Sequence, residues 1–320
     1  MARVIVTGAT GAIGTALIKE LICCGDEVLV LTRKESKRNE SIIKHPLLSV
    51  KYCSLEELFE IQNDTGKIYD IFYHLAWVAP AGPGRNDMYL QNQNVKYALD
   101  AVGVAYRFGC RMFIGAGSQA EYGRVEGRLK PDTPAFPEMG YGYAKLCAGQ
   151  MTREYSHQLG MRHIWVRILS VYGPNDGSQS MVISTINKLR AREIPELTKG
   201  EQLWDYLYSR DAARALRLLG EKGRDGKVYV LGSGSARPLA EYIKIIRDIV
   251  APNQDIALGA IPYGEKQVMY LWADIEDLKR DTGFEPKYSF YDGIAETVKW
   301  VEEVMENEKN SRNNKFGVKG

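Results

Sequence analysis

The chain predicts an α/β fold, a doubly wound parallel sheet with a smaller C-terminal lobe, and two observations carry that expectation. Short apolar runs alternate with helical patterns through the first half, and the first run opens into a turn with three glycines. Strands that alternate with helices pair in parallel through right-handed crossovers. The runs expected as strands are Arg3 to Thr7, Glu27 to Thr32, Leu48 to Cys53, Ile68 to Leu75 and Arg111 to Ala116, with a helix running to Cys24 after the first. His163-Ile-Trp-Val-Arg-Ile-Leu and Lys227-Val-Tyr-Val-Leu read as later strands of the same sheet. From Tyr172-Gly-Pro-Asn-Asp-Gly onward longer helices and turn-rich loops prevail. Residues 1–172 with parts of 205–235 are therefore assigned to the sheet, and residues 173–204 and 236–305 to the lobe. The polar segment 306–320 is expected to be a disordered tail.

At 320 residues and 45% hydrophobic content, the chain can bury a large core. Forty-two basic side chains against 40 acidic ones leave +2, a balance unsuited to a dedicated binder of nucleic acid. No stretch approaches the roughly 18 consecutive apolar residues of a membrane helix, and no signal-peptide pattern precedes the first strand, so no membrane partner is expected. The five cysteines, Cys23, Cys24, Cys53, Cys110 and Cys147, are odd in number and lack CxxC spacing. With four scattered histidines they suggest neither a disulfide framework nor a metal site, and they fit a reducing cytoplasm.

Gly8-Ala-Thr10-Gly11-Ala12-Ile13-Gly14 joins the first strand to the first helix. Glycines there permit a tight turn, let the backbone approach a pyrophosphate and bring helix close to strand, while the helix N-terminus offers free N–H groups to phosphate. Gly8, Thr10, Gly11, Ala12, Ile13 and Gly14 are thus expected to hold a dinucleotide on a Rossmann-type domain. After the second strand, where an acidic residue would accept from the ribose of NAD, stands Leu31-Thr32-Arg33-Lys34-Glu35-Ser36-Lys37-Arg38. A basic cluster suits a ribose phosphate, so Arg33 with Lys34 or Arg38 points to NADP, with NAD the alternative.

Tyr141 and Lys145 lie four residues apart and so share one face of a helix. An ammonium beside the phenol favours phenolate and lowers a pKa of about 10 toward working pH. Such a tyrosine passes protons to and from a hydroxyl while a hydride moves.

With these motifs stand Asp70-Ile-Phe-Tyr-His74-Leu75-Ala76, Asn92-Gln-Asn94-Val95, Gly117-Ser118-Gln119-Ala-Glu121-Tyr122-Gly123, Arg167-Ile-Leu-Ser-Val-Tyr172-Gly-Pro and Gly200-Glu-Gln-Leu-Trp204-Asp205-Tyr-Leu-Tyr-Ser-Arg-Asp211. Together they resemble an extended short-chain dehydrogenase/reductase of the NAD-dependent epimerase/dehydratase type, along nearly the whole chain to about Trp300. The resemblance implies that Ser118 is the third catalytic group, orienting the reacting oxygen. It also implies that Leu75, Ala76, Asn94, Tyr141 and Lys145 line the cofactor, and that the substrate is a nucleotide-diphosphate sugar with Gln119 beside it.

Sugar dehydratases of this type resemble one another in placing Asp-Glu after the catalytic hydroxyl residue, because eliminating water needs an extra acid and base. Here those positions are Gln119 and Ala120, which disfavours elimination, although Glu121 lies one place further on. The basic loop leans toward NADPH-dependent reduction of a keto-sugar, the alternative being 4-epimerisation with retained NAD. Trp204 stands where relatives carry an arginine that reaches a substrate phosphate. An indole stacks but cannot neutralise a diphosphate, so either Lys199, Lys188, Arg190 or Lys266 supplies the charge or the substrate is a small carbonyl compound without a nucleotide. Helices beginning near Asn94 and Tyr141 resemble the pair that relatives pack into an intersubunit four-helix bundle, which implies a homodimer. A cofactor-binding regulator without turnover is a further alternative, opposed by the intact Ser118, Tyr141 and Lys145.

Overall fold

The structure, a computed structural model, describes residues 1–316. Its first strands are β1 (Arg3–Thr7), β2 (Glu27–Thr32), β3 (Leu48–Tyr52), β4 (Ile71–His74), β5 (Met112–Ser118), β6 (Arg128–Leu129), β7 (Arg162–Ile168) and β8 (Ser170–Tyr172). Then come β9 (Glu196–Leu197), β10 (Leu203–Trp204), β11 (Tyr206–Tyr208), β12 (Lys227–Leu231), β13 (Arg237–Pro238), β14 (Ala257–Leu258) and β15 (Tyr270–Ala273). The helices are α1 (Ala12–Cys23), α2 (Met88–Arg107), α3 (Gly140–Gln158), α4 (Met181–Arg190), α5 (Ser209–Lys222), α6 (Leu239–Val250), α7 (Glu276–Thr282) and α8 (Phe290–Phe316).

Seven strands pair in parallel in the order β12-β7-β5-β4-β1-β2-β3. Every sheet strand expected from an apolar run is present. The fourth begins at Ile71 rather than Ile68, because Ile68 is 71% exposed and the Tyr69 N–H is drawn to Phe108 O at 3.0 Å. Strand order reverses at β1, which pairs with β2 on one side and β4 on the other. Sheets of this kind bind ligands in the crevice outside the carboxyl ends at that reversal.

Side-chain alternation on β1 fills a core on each face. Val4 and Val6 pack with Leu17 and Leu21 of α1 and Leu216 and Leu219 of α5. Ile5 points the other way, into Phe72, Phe113 and Ala101, Val102 and Ala105 of α2. A strand buried on both faces reads as a continuous apolar run, which is what Val4-Ile-Val6 supplies. Each such side chain contributes about 1.5–3 kcal/mol by leaving water.

The remaining strands make small sheets ordered β13-β10-β15-β6, β11-β8 and β14-β9. The lobe is bound to the large sheet through β8, which follows β7 and pairs with β11. Asp205 fastens the same junction, since its buried carboxylate accepts from Ser233 N (2.7 Å), Gly234 N (3.0 Å) and Ala273 N (3.0 Å). The segment expected to be disordered from residue 306 is helical in α8 as far as Phe316, and residues 317–320 lie outside the described residues. Among the described residues no helix is long and apolar enough to cross a membrane.

Candidate active site

The glycine turn closes on the carboxyl end of β4. Gly8 has φ +74°, and a Cβ there would stand 2.7 Å from Ala76 N and Leu75 C, so only glycine fits between the turn and the Leu75–Ala76 backbone. A Cβ on Gly14 would collide with Gly8 O, which explains the tight seating of α1 on the turn. Gly11 is the N-cap of α1 and offers no side-chain cap, so N–H groups of the first turn, among them those of Ala12 and Ile13, stay open toward the crevice beside Thr10. This is a cradle shaped for a pyrophosphate, and the residues present fit a dinucleotide.

Ser118 ends β5 and caps a single 3-10 turn, Gln119–Glu121. Its hydroxyl accepts from Ala120 N at 3.2 Å, while the Glu121 carboxylate reaches back to accept from Ser118 N at 2.8 Å. Glu121 is fully buried and also accepts from Trp165 Nε1 (3.0 Å) and Arg167 Nε (2.7 Å). The Trp165 indole is what sets the neighbouring spacing: a Cβ on Gly149 of α3 would lie 2.8 Å from it, and one on Gly115 or Gly117 of β5 would strike it. Glycines on both sides of one buried indole therefore fix α3 against β5, and with it Tyr141 against Ser118.

Tyr141 and Lys145 occupy the first turns of α3. Lys145 is buried, 3% exposed, and donates to Ala116 O at 2.6 Å. Burial lowers its pKa to about 7, against a smaller opposing pull from Glu121. Its ammonium lies 3.7 Å from the centre of the Trp77 ring and 5.8 Å from that of Tyr141. Trp77 in turn stands edge-on to Tyr141, 6.1 Å between centroids, with its N–H held by Gln91 Oε1 at 2.8 Å. The sequence led us to expect a phenol made more acidic by Lys145. Instead desolvation raises the Tyr141 pKa, and the groups that work against that rise are the nearby Ser118 hydroxyl and Arg85, whose guanidinium lies 4.6 Å from the ring centre. His74, on β4, shares Thr7 Oγ1 at 3.0 Å and stays neutral, since burial pulls its pKa down to about 3.

The other expected residues fall into distinct places. Arg33 and Lys34 are exposed at the end of β2, and the turn that carries them is pinned by Asn39, which donates to Arg33 O at 2.8 Å. Arg38 instead crosses the crevice to donate to Asn175 O at 2.7 Å. Asn94 engages the backbone after β4, accepting from Val78 N at 2.8 Å and donating to Val78 O at 3.0 Å, so it shapes the Leu75–Val78 loop. Gln119 is half-buried in the turn after Ser118. Trp204 is half-buried against the apolar clusters of the lobe with its indole N–H lacking a partner, and Lys199 is exposed beside Gly259. Among the described residues neither makes a hydrogen bond or ring contact with Ser118, Tyr141 or Lys145.

Sequence reasoning missed Trp77, Arg85 and the roles of Glu121 and Arg167. The spacing Ser118-x-x-Glu121 is the pattern of a capping box and could have revealed the inward turn of Glu121. Nothing local marks Arg85, which reaches Tyr141 only through the fold.

Known proteins resemble the chain in sequence and in fold. A family model described as NAD dependent epimerase/dehydratase family matches residues 4–232. A dTDP-glucose 4,6-dehydratase from Xanthomonas campestris is 27% identical over 201 residues, 59% of this chain and 57% of its own length. The chain therefore spans less than two thirds of that relative. The protein named uncharacterized UDP-glucose epimerase YtcB of Bacillus subtilis is 23% identical over 96% of this chain and 100% of its own. Among solved structures, a UDP-N-acetylglucosamine 4-epimerase from Methanobrevibacter ruminantium superposes with a TM-score of 0.84 at 24% identity, covering 94% of this chain and 98% of that one, a likeness of fold.

Proposed function

The chain belongs to the NAD dependent epimerase/dehydratase family, and we propose that it is an oxidoreductase of nucleotide-diphosphate sugars that exchanges a hydride at one sugar carbon while Tyr141 moves the proton of that carbon's oxygen. The observation that carries this reading is the convergence of Ser118, Tyr141 and Lys145 beside the glycine turn, with Glu121 withdrawn into an ion pair with Arg167. A nicotinamide dinucleotide would supply the hydride exchange, held by the turn from Gly8 to Gly14. Ser118 orients the sugar oxygen and Tyr141 gives or takes its proton. Lys145, buried beneath Trp77, fixes the floor of the site. With Glu121 engaged on three sides, no second acid/base pair stands next to Ser118 for eliminating water.

Within that class, reduction of a keto-sugar by NADPH is favoured because Thr32 rather than a carboxylate closes β2, and Arg33 and Lys34 remain exposed at the adenosine end. A second reading, epimerisation with retained NAD, is favoured by the bond from Arg38 to Asn175 O, which spans the crevice as a strap. Mass spectrometry of nucleotide released from the purified protein separates the two. Tightly held NAD supports the epimerase, whereas an empty site or one that exchanges NADPH supports the reductase. Thermal shifts with UDP, CDP, GDP and dTDP test the substrate class, and failure of all four to raise the melting temperature would remove it.

The protein also fits a homodimer. Helices α2 and α3 pack side by side and turn Tyr89, Tyr106, Tyr143 and Met151 outward, with Tyr143, Cys147 and Met151 in one stripe at four-residue spacing on α3. A second copy presenting the same stripe would cover it.

A further inference from the structure

We propose that Trp77 is the positioning residue of Lys145, its indole face standing in for the counter-charge that this buried ammonium lacks. The proposal rests on the reading above that Tyr141 moves the proton with Lys145 at the floor of its site. The Lys145 Nζ lies 3.7 Å from the centre of the Trp77 ring, well within the roughly 6 Å at which an aromatic face attracts a cation. Tryptophan offers the strongest such face. The same indole stands edge-on to Tyr141, 6.1 Å between centroids, so one side chain borders both members of the pair.

A lysine is almost never buried without a partner for its charge. Lys145 is 3% exposed, and its hydrogen bond goes to a neutral acceptor, Ala116 O at 2.6 Å. The titratable groups around it come from several elements, and among the described residues none forms an ion pair with it. Glu121, in the turn after β5, favours the ammonium from a distance, yet its carboxylate is committed to Arg167 at 2.7 Å. His74 on β4 is neutral, and Tyr141 on α3 is a phenol whose pKa burial raises. Arg85, from the turn Pro83–Asn86, lies over the Tyr141 ring and has the same sign as the lysine. What remains to face the ammonium is the indole.

The loop after β4 is built to hold that face in place. Trp77 Nε1 donates to Gln91 Oε1 at 2.8 Å, and the buried Gln91 amide donates onward to Gly84 O at 2.9 Å. Asn94, equally buried, grips the next residue from both sides, accepting from Val78 N at 2.8 Å and donating to Val78 O at 3.0 Å. Ala79 then takes φ +50°, a left-handed conformation that side chains avoid. Two amide side chains of α2 and one strained residue thus lock the indole over Lys145. Burial lowers the Lys145 pKa to about 7, and an attracting face opposes that fall because it favours ammonium over amine. The bulk of Trp77 keeps water out, while its face keeps the charge in.

Substitution separates these two effects. In the purified full chain, the Lys145 titration is read as the part of the pH dependence of stability in urea that Lys145→Met removes from each background. Trp77→Leu keeps an apolar cover and loses the face, so the Lys145 midpoint should fall by about one pH unit. Trp77→Phe should restore at least half of that shift. Trp77→Ala admits water, so there the midpoint should rise instead. The alkaline limb of turnover should move in the same direction as the midpoint in each variant. Trp77→Met repeats the leucine test should that variant fold poorly. A midpoint that Trp77→Leu and Trp77→Met leave unmoved or raise overturns the proposal, as does a Trp77→Phe midpoint no higher than that of Trp77→Leu. Because the titration needs no turnover, that result leaves the parts of Tyr141 and Lys145 to be judged separately by the activity of Tyr141→Phe and Lys145→Met.

Discussion

Glu121 and Arg167 meet at 2.7 Å immediately behind Ser118, with side chains 0% and 5% exposed. A carboxylate that sequence position offers as an extra catalytic base is therefore a structural anchor. Removing it strands a buried guanidinium, so Glu121→Ala should lose about 3–5 kcal/mol of stability in chemical denaturation. Glu121→Gln, which keeps the volume and one acceptor oxygen for Ser118 N and Trp165 Nε1 but turns an amide N–H toward Arg167 Nε, should lose less. Near-equal stability of all three proteins would refute the anchoring role.

Tyr141→Phe removes the proposed proton carrier but leaves the ring that packs against Trp77 and Arg85. Turnover should fall by at least about a hundredfold, while dinucleotide binding measured by fluorescence titration stays near the wild-type value. Full activity in this variant would exclude Tyr141 as the acid/base.

Lys145 makes folding stability depend on pH. Its folded pKa, about 7, lies below the ordinary lysine value of 10.5, so between these values the unfolded chain binds more protons. Stability should therefore rise from pH 7 toward pH 10, with a slope of up to about 1.4 kcal/mol per pH unit from this one group. Lys145→Met should flatten that rise. His74 acts in a separate window, since its folded pKa of about 3 against 6.5 means that stability drops as the medium is acidified below 6.5. Urea midpoints of both proteins across the two ranges test the sign.

Gly8→Ala should weaken dinucleotide binding. The position needs φ +74°, which disfavours a side chain by about 1–2 kcal/mol, and the added methyl would press on the Leu75–Ala76 backbone. Isothermal titration with NADP and NAD should show loss of affinity for both, whereas Arg33→Ala should weaken NADP alone.

Tyr143→Asp places charge in the outward stripe of α3, where Tyr143 is 54% exposed. Sedimentation should find a dimer for the parent protein and a monomer for the variant. A monomeric parent at micromolar concentration would contradict the proposed assembly.

The glycine turn, the parallel strands and the pairing of Tyr141 with Lys145 were readable because each is a local pattern. Val4-Ile-Val6 reports a strand buried on both faces, Gly8 reports a φ that side chains avoid, and a four-residue interval reports a shared helix face. What the local patterns did not report involves contacts between distant segments. Arg38 lies in the basic loop after β2, yet its guanidinium reaches residue 175, and Asn94 binds the Val78 backbone.

The sequence by itself determined the succession of strands and helices, the glycine turn after the first strand and the shared helix face of Tyr141 and Lys145, because hydrophobic period and backbone sterics act over a few residues. Only the tertiary structure decided which charges those groups feel. Lys145 is desolvated under Trp77, Glu121 is neutralised by a residue 46 positions away, and Arg85 is carried over the phenol by a separate turn. Electrostatic energies depend on distance through space and on burial, and neither quantity is a property of spacing along the chain.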